Sequence, residues 1–253
     1  MKKLIANKGL RLFMILGGFF LANALVAEFI GVKVFSLEDS LGWDPLFGRE
    51  APFMFSAGTL LWPVVFIMTD VINEYFGVKG VRLLSILAAA LIAYGFIMVY
   101  FSINVSPAEF WVVQSQDRGI DDMQLAFATV YGQSNWIIVG SLIAFLIGQL
   151  IDAYVFQGVR KWLGEQKVWL RATLSTVVSQ LFDSFIVLYI AFVLGPAQWK
   201  LDVFFEIGTN NYLYKILLAI LLIPILYVAR FFIDKYLGDK LAKRLKKEAT
   251  IPD

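Results

Sequence analysis

Six stretches of mainly apolar residues follow one another along the chain, and the segments between them carry most of the charged side chains. A helix of about 20 apolar residues is long enough to cross a hydrocarbon core of about 30 Å. A membrane β-barrel would instead show segments of about ten residues with alternating polarity. The pattern predicts an all-α polytopic membrane protein, one domain over residues 1–253, with six transmembrane helices. The predicted spans are about 11–34, 55–76, 82–103, 134–156, 172–195 and 212–234.

The basic residues are distributed unevenly between the two sides that these spans define. Of the 22 lysines and arginines, 17 fall in the N-terminal segment, in the loops after the second and fourth spans, and in the C-terminal segment. The loops on the other side hold four, which are Lys33, Arg49, Arg118 and Lys200. Because basic residues favour the cytoplasmic side of a membrane, both termini are predicted to be cytoplasmic.

Two of the predicted external loops, 36–54 and 104–133, are longer than a simple connection requires. Within the second loop, residues 123–131 are predicted to form an interfacial helix that leads into the fourth span. Both loops lie on the external side in this topology, so they could shape an entrance or a partner contact. Their role is not assigned by the sequence.

Composition narrows the chemistry that such a bundle can carry out. The chain is 59% hydrophobic and 17% charged, whereas soluble domains are about 45–50% apolar and about a quarter charged. It contains neither cysteine nor histidine, which excludes thiolate and imidazole nucleophiles, bases and metal ligands. Carboxylates and amides remain, so we expect binding and transport rather than catalysis, without a metal or cofactor.

The inner end of the second span carries polar residues in the sequence TDVINEYFG at 69–77. Asp70, Asn73, Glu74 and Gly77 fall on one face of a helix, because they are spaced by three or four residues. A charged side chain inside a membrane costs about 2.5–3.5 kcal/mol on insertion scales, so each needs a reason. A structural interpretation pairs the carboxylates with nearby basic residues of the following loop, and a functional one gives Asp70 a binding or coupling role.

The fourth and fifth spans each place an amide and a carboxylate three residues apart. Gln149 and Asp152 lie near the end of the fourth span, and Gln180 and Asp183 lie in the fifth. Asp183 is about 11 residues from either end of its span, which places it near the middle of the membrane. If both helices are straight, the two aspartates differ in depth by about 10–12 Å. Lys215, in the sixth span, is expected to snorkel outward, to pair with a buried acid such as Asp183 or Glu28, or to contact a ligand.

These residues together predict a polar cavity near the middle of the bilayer. Its candidate substrate-binding residues are Asn23, Asp70, Asn73, Glu74, Gln149, Asp152, Gln180, Asp183 and Lys215. Aromatic residues of the second span and of the sixth are expected to line it. They are Trp62, Phe66, Tyr75 and Tyr227.

An ordered set of motifs over about residues 12–235 resembles the queuosine precursor transporter family, also called the vitamin uptake transporter family. The set comprises TDVINEYFG after an apolar run with a proline, Q-x-x-D at the end of the fourth span, the series Arg171-x-x-x-Ser175-x-x-x-Ser179-Gln180-x-x-Asp183, Lys215, and Pro224-x-x-Tyr227. The resemblance implies a six-helix importer in the bacterial inner membrane. Its implied substrate is a queuosine precursor, 7-cyano- or 7-aminomethyl-7-deazaguanine.

The candidate residues are chemically compatible with that substrate. A guanine-type edge presents two adjacent N–H donors, which suit one carboxylate, and acceptors, which suit amides. Its flat ring suits aromatic walls. The hypothesis is that Asp183 and Gln180 read the base edge, while Asp70, Asn73 and Glu74 close the site from the cytoplasmic side.

Other functions remain open at this stage. The chain has no phosphate-binding loop of the G-x-x-x-x-G-K-[ST] type, so it is either a secondary transporter or a substrate-binding membrane subunit, for another vitamin or nucleobase, served by a separate ATPase module. A remote alternative is an intramembrane aspartyl hydrolase, and a further one is a structural factor. The expected partners are a heterocyclic small molecule and the lipid bilayer, with no nucleic acid. A homodimer and an energising module are left open.

Overall fold

The computed structural model describes residues 7–44, 54–164 and 167–250, and most of these residues lie in helices. The α-helices are α1 (Lys8–Ile30), α2 (Leu37–Leu41), α3 (Trp62–Asn104), α4 (Glu109–Val112), α5 (Met123–Tyr131), α6 (Asn135–Leu163), α7 (Val168–Leu188), α8 (Leu201–Leu221), α9 (Ile223–Leu237) and α10 (Asp239–Thr250). Two short strands, β1 (Val34–Ser36) and β2 (Met54–Ser56), pair antiparallel. A 3₁₀ turn at Ala57–Leu61 precedes α3, and a π-helical turn at Tyr189–Val193 follows α7.

The lengths and hydropathies of the helices confirm an all-α membrane protein. Four helical segments of the described residues are long and apolar enough to cross a bilayer, and they are Lys8–Ile30, Ala57–Asn104, Met123–Leu163 and Val168–Val193. The pair α8 and α9, bent by 46°, is a fifth candidate. The second and third predicted spans both fall within the 48-residue segment, so the path of that segment matters.

Helix α3 reverses direction at Gly77, where the backbone has φ +65° and ψ −170°, a conformation that L side chains rarely adopt. Gly58 lies against the carbonyl of Ala27, and Gly95 lies against the ring of Phe29. In an unbroken helix the 37 residues between the two glycines would span about 55 Å. They could not then both contact neighbouring residues of α1, so the chain must turn back at Gly77.

The two arms of α3, 62–76 and 78–104, therefore run antiparallel to each other, and both lie beside α1. The second arm packs along α1 through contacts of Gly80 with Phe13 and of Leu84 with Gly17. Small residues at these contacts allow the backbones to approach closely, as is typical of helix packing in membranes.

Helices α6 and α7 also form a close antiparallel pair. Gly148 of α6 lies against the side chain of Asp183 in α7, and Gly140 lies against the carbonyl of Val187. This register places Asp152 one helical turn farther along α6 than the level of Asp183, about 6 Å. The expected depth difference of about 10–12 Å between Asp152 and Asp183 is thus too large. It rests on spans that end at 156 and begin at 172, whereas α6 ends at Leu163 and α7 begins at Val168, which shifts the register of the pair.

The beginning of α1 and the end of α9 lie at the same end of the bundle. Lys8 Nζ donates a hydrogen bond to the carbonyl of Tyr236 (3.0 Å), and Arg11 Nε donates to its hydroxyl (2.6 Å). Helix α10 folds back over this end, where Leu245 contacts Gly9 and the carbonyl of Ala249 faces Gly77. We refer to it as the inner end and to the opposite end, which carries β1 and β2, as the outer end.

The sixth predicted span, 212–234, is not one straight helix. Helix α8 begins at Leu201 and ends at Leu221, and α9 begins at Ile223 with Pro224 in its first turn. Proline lacks the N–H that would bond to the preceding turn, which accounts for the 46° bend. The helical pair also starts earlier than the predicted span, at Leu201.

The predicted external segments are partly helical. Residues 123–131 form α5, whose first turn is capped by the Asp122 carboxylate, which accepts from the N–H groups of Gln124 and Leu125. Ser36 caps α2 in the same way through the N–H of Asp39. The rest of the first predicted loop, 45–53, lies outside the described residues.

Candidate functional site

Two adjoining clefts lie between the first arm of α3 and helices α6, α7, α8 and α9. Phe66 and Thr176 line both clefts. The first cleft is lined by Phe66, Ile67, Asp70, Ala172, Thr176, Ala219, Leu222, Ile223 and Leu226. The second is lined by Phe66, Thr69, Gly148, Gln149, Asp152, Thr176 and Gln180. Five of the residues predicted from the sequence thus line these adjoining clefts, namely Phe66, Asp70, Gln149, Asp152 and Gln180.

Both clefts are narrow in this conformation. Each has room for about one water molecule, and the hydroxyl of Thr69 donates a 3.0 Å hydrogen bond to Gln149 Oε1 across the second. A molecule of the size of a purine therefore requires the helices to move apart. The structure corresponds to a closed form of the cavity.

Asp70 is the most unusual residue of the first cleft. Its side chain is buried, and among the described residues Oδ1 has no hydrogen-bond partner. The cleft around it is otherwise mostly apolar. A buried carboxylate oxygen without a donor is unfavourable, so this position is suited to a ligand that brings its own N–H groups or positive charge.

Asp152 and the two glutamines form the polar wall of the second cleft. Ser179 Oγ, from α7, donates to Asp152 Oδ1 (3.2 Å). Gln149 lies one turn before Asp152, and Gln180 follows Ser179 on the facing helix. The two amide-carboxylate pairs noticed in the sequence are therefore brought close together by the α6–α7 register.

Asn73 has a different environment from Asp70, although both are on the first arm of α3. It is fully buried; its Nδ2 donates to the carbonyl of Ala153 (3.0 Å), and its Oδ1 accepts from Gln157 Nε2 (2.8 Å). Gln157 also donates to the carbonyl of Asn73 (2.9 Å). These bonds hold α3 against α6, and Asn73 does not line either cleft. Gln157 is not among the residues predicted from the sequence.

Glu74 lies among three arginines from three other helices. Its carboxylate accepts from Arg171 Nη2 (2.6 Å) and lies 3.7 Å from Arg160 Nη1 and 3.5 Å from Arg230 Nη2. Arg160 and Arg171 are 1% exposed and Glu74 is 3% exposed. The expected pairing with a cation is present, but the partners come from α6, α7 and α9 instead of the loop that follows the second span.

This network continues to the C-terminal helix. Asp234 accepts from the Tyr75 hydroxyl (2.7 Å) and from Lys246 Nζ (2.7 Å), and Arg160 donates to the carbonyl of Lys246 (2.8 Å). Lys246 also lies 5.0 Å from the centre of the Tyr75 ring. We refer to Glu74, its three arginines, Tyr75, Asp234 and Lys246 as the inner cluster. Tyr75 belongs to it and does not line either cleft.

Asp183 and Lys215 form an ion pair nearer the outer end, which we call the outer pair. Lys215 Nζ also lies 4.3 Å from the centre of the Trp62 ring. Of the predicted partners of Lys215, Asp183 is the one that it contacts. Glu28 is instead bonded by the hydroxyl of Ser141 (3.0 Å).

Two further predicted residues lie away from the clefts. Asn23 donates to the carbonyl of Phe19 within α1 (2.8 Å), and Tyr227 of α9 is 40% exposed on the surface of the described chain. Of the four predicted aromatic residues, Phe66 alone lines the clefts, and Trp62 lies one turn before it on the same arm.

Asp152 and Asp183 do not form an aspartyl dyad. A dyad requires two carboxylates about 3 Å apart that share a proton. Asp152 accepts from Ser179, Asp183 pairs with Lys215, and the two aspartates are one turn apart along the helix pair.

Comparisons with known proteins agree with this architecture. Residues 56–229 match the model of a family described as "Putative vitamin uptake transporter". A Bacillus subtilis protein named "Probable queuosine precursor transporter" is 31% identical over 188 residues, which cover 73% of this chain and 74% of the relative. The "Queuosine precursor transporter" of Escherichia coli is 26% identical over 199 residues, 77% of each chain. No solved structure matches significantly.

Proposed function

The chain belongs to the vitamin uptake transporter family, and from that premise we propose that it imports a queuosine precursor, 7-cyano- or 7-aminomethyl-7-deazaguanine, across the bacterial inner membrane. The names of the similar Bacillus subtilis and Escherichia coli proteins support this substrate class. In this proposal the protein carries its substrate unchanged and is not an enzyme. The separation of Asp152 from Asp183 by one helical turn supports the absence of catalysis, because an aspartyl dyad needs adjacent carboxylates.

The proposed topology has six crossings with both termini in the cytoplasm. The reversal at Gly77 supports it, because the arms of α3 then count as two spans. Contacts of Lys8 and Arg11 with Tyr236 support termini on one side. The excess of basic residues at that end favours the cytoplasm.

One observation carries the proposal: the carboxylate oxygen of Asp70 that has no described donor lies in a cleft adjoining the one lined by two amides and a second carboxylate. A deazaguanine has adjacent N–H donors for a carboxylate, acceptors for Gln149 and Gln180, and a flat ring for Phe66. Asp183 reads the base edge from the outer end of the same space. Asn73 and Glu74 support the cavity from the inner side.

Transport requires the helices around the closed clefts to separate toward each side in turn. Alternating access of this kind is usual for carriers whose site lies near the middle of the membrane. The bent pair α8–α9 lines the first cleft through Ala219, Leu222 and Leu226, so movement at its bend would widen the cleft. Uptake measured after addition of a protonophore distinguishes the two energy sources. Proton-coupled uptake should stop at once, whereas uptake through a substrate-binding subunit served by an ATPase module should not.

The proposal is tested by uptake of the two 7-deazaguanines in a strain that lacks its own transporter. Asp70→Asn and Asp183→Asn are each expected to reduce uptake at least about tenfold, since a lost charge-assisted hydrogen bond is worth about 1.5–3 kcal/mol. Asp202→Asn, an exposed acid at the start of α8, is the matched control. Full uptake by both the Asp70→Asn and the Asp183→Asn variants, at normal protein levels in the membrane, would contradict the proposal.

A further inference from the structure

The environment of the Lys215 ammonium has the features expected of a ligand site. The ammonium lies on one carboxylate, Asp183, and over one aromatic face, Trp62. A carboxylate and an aromatic face are also what a flat heterocycle with adjacent N–H donors requires. The Lys215 side chain is 4% exposed, whereas that of Asp183 is 23% exposed, so an incoming molecule can reach the carboxylate.

The outer pair is continuous with the clefts described above. Trp62 lies one turn before Phe66 on the first arm of α3, and Gln180 lies one turn before Asp183 on α7. Asp183 is in contact with Gly148, which lines the second cleft. The carboxylate of the outer pair and the amide of Gln180 can therefore contact one molecule at the same time.

We propose that Lys215 is an internal competitor of the substrate: its ammonium occupies, in the empty protein, the place on Asp183 and Trp62 that the substrate's N–H edge and ring take. This inference rests on the proposed function and names the residue that sets its affinity and selectivity. Competition keeps Asp183 paired whenever no substrate is bound, which avoids an uncompensated charge in the membrane. It also favours release, because the returning ammonium displaces the substrate.

The competition selects the chemical class of the ligand. Only a molecule that supplies two N–H donors or a positive charge can replace an ammonium on Asp183 without leaving the carboxylate unpaired. Guanine-type 7-deazapurines satisfy this condition. A 7-deazapurine without the 2-amino group does not, and it is expected to bind poorly.

The test measures dissociation constants of 7-aminomethyl-7-deazaguanine, 7-cyano-7-deazaguanine and unsubstituted 7-deazapurine with purified full-length protein in detergent. Lys215→Gln removes the competitor and is expected to tighten binding of the two deazaguanines about tenfold, which corresponds to a pair that is closed about 90% of the time. Lys215→Arg, whose guanidinium pairs with a carboxylate through two bonds, is a stronger competitor and is expected to weaken binding severalfold. Lys200→Gln, at an exposed position, serves as the control.

Opposite changes in the two Lys215 variants distinguish competition from other roles. Weaker binding in Lys215→Gln would overturn the inference, because Lys215 would then contact the substrate directly. Unchanged binding in both variants would overturn it as well. If Lys215→Gln does not fold, Lys215→Arg keeps the charge and still gives a decisive result. Absence of deazaguanine binding to the unmodified protein would instead refute the proposed function, and the inference with it.

Discussion

The inner cluster and the outer pair both hold buried charges, but they are built differently. In the inner cluster, Glu74 is surrounded by three arginines, and main-chain carbonyls accept further bonds from Arg160. In the outer pair, a single ammonium meets a single carboxylate that is 23% exposed. Many partners make an interaction hard to exchange, whereas one partner and access from outside make it exchangeable. We therefore expect the inner cluster to govern stability and the outer pair to govern binding.

The largest effect is expected from Glu74→Ala. The change removes the buried carboxylate that faces Arg171 and Arg160, each 1% exposed, and breaking a buried ion pair on one side costs about 3–5 kcal/mol. The free energy of unfolding, measured by denaturant titration in mixed micelles, should fall by that amount.

The matched control for this variant is Glu248→Ala. Glu248 pairs with Arg244 at 3.6 Å, but the two side chains are 60% and 66% exposed, and such pairs contribute at most about 1 kcal/mol. Equal losses in the two variants would show that burial and the number of partners do not distinguish the inner cluster from a surface pair.

A smaller effect is expected from Gly77→Ala, which tests how α10 is held against the turn of α3. An alanine here must adopt φ +65°, and its Cβ would lie 2.7 Å from the carbonyl oxygen of Ala249. Gly164 has nearly the same backbone conformation, with φ +73° and ψ −167°, but open space around it. Backbone strain should lower the free energy of unfolding of both alanine variants by about 1–3 kcal/mol. The loss should be greater in Gly77→Ala, and the difference between the two variants measures the contact with α10. Equal unfolding free energies would contradict a close contact there.

The two regions also differ in how far they could be predicted from sequence. Lys215 was correctly considered as a partner of Asp183, because a buried cation on one span needs an acid on another. The sequence pattern predicts only that Arg160 and Arg230 help to orient the bundle and that Arg171 belongs to the family motif; it does not predict that all three face Glu74. Arg160 and Arg171 are 86 and 97 residues from Glu74, and a convergence of that kind depends on how four helices pack, which periodicity does not report.

The helical class and the polar residues of the spans follow directly from the hydrophobic pattern, whereas the shape of the cavity does not. Gly77 was placed on the polar face of a helix, but its left-handed backbone conformation depends on the packing of both arms against α1. Asn73 and Asp70 share that face in sequence, yet Gln157 satisfies the amide while Asp70 is left with an oxygen that has no described donor. Which polar residue is left free for a ligand is a property of the tertiary contacts.

The smallest stability change is expected from Lys215→Gln. Removing the ammonium relieves the cost of burying it, and the amide of the introduced glutamine can still donate a hydrogen bond to the partly exposed Asp183, so gain and loss should nearly cancel. The free energy of unfolding should change by less than about 1 kcal/mol, although the same variant is expected to alter deazaguanine binding about tenfold. The measurement is the titration used for Glu74→Ala, made without ligand. A loss of about 3 kcal/mol or more, similar to that of a buried pair broken on one side, would place Lys215 with the inner cluster as a structural residue and remove the distinction between the two regions.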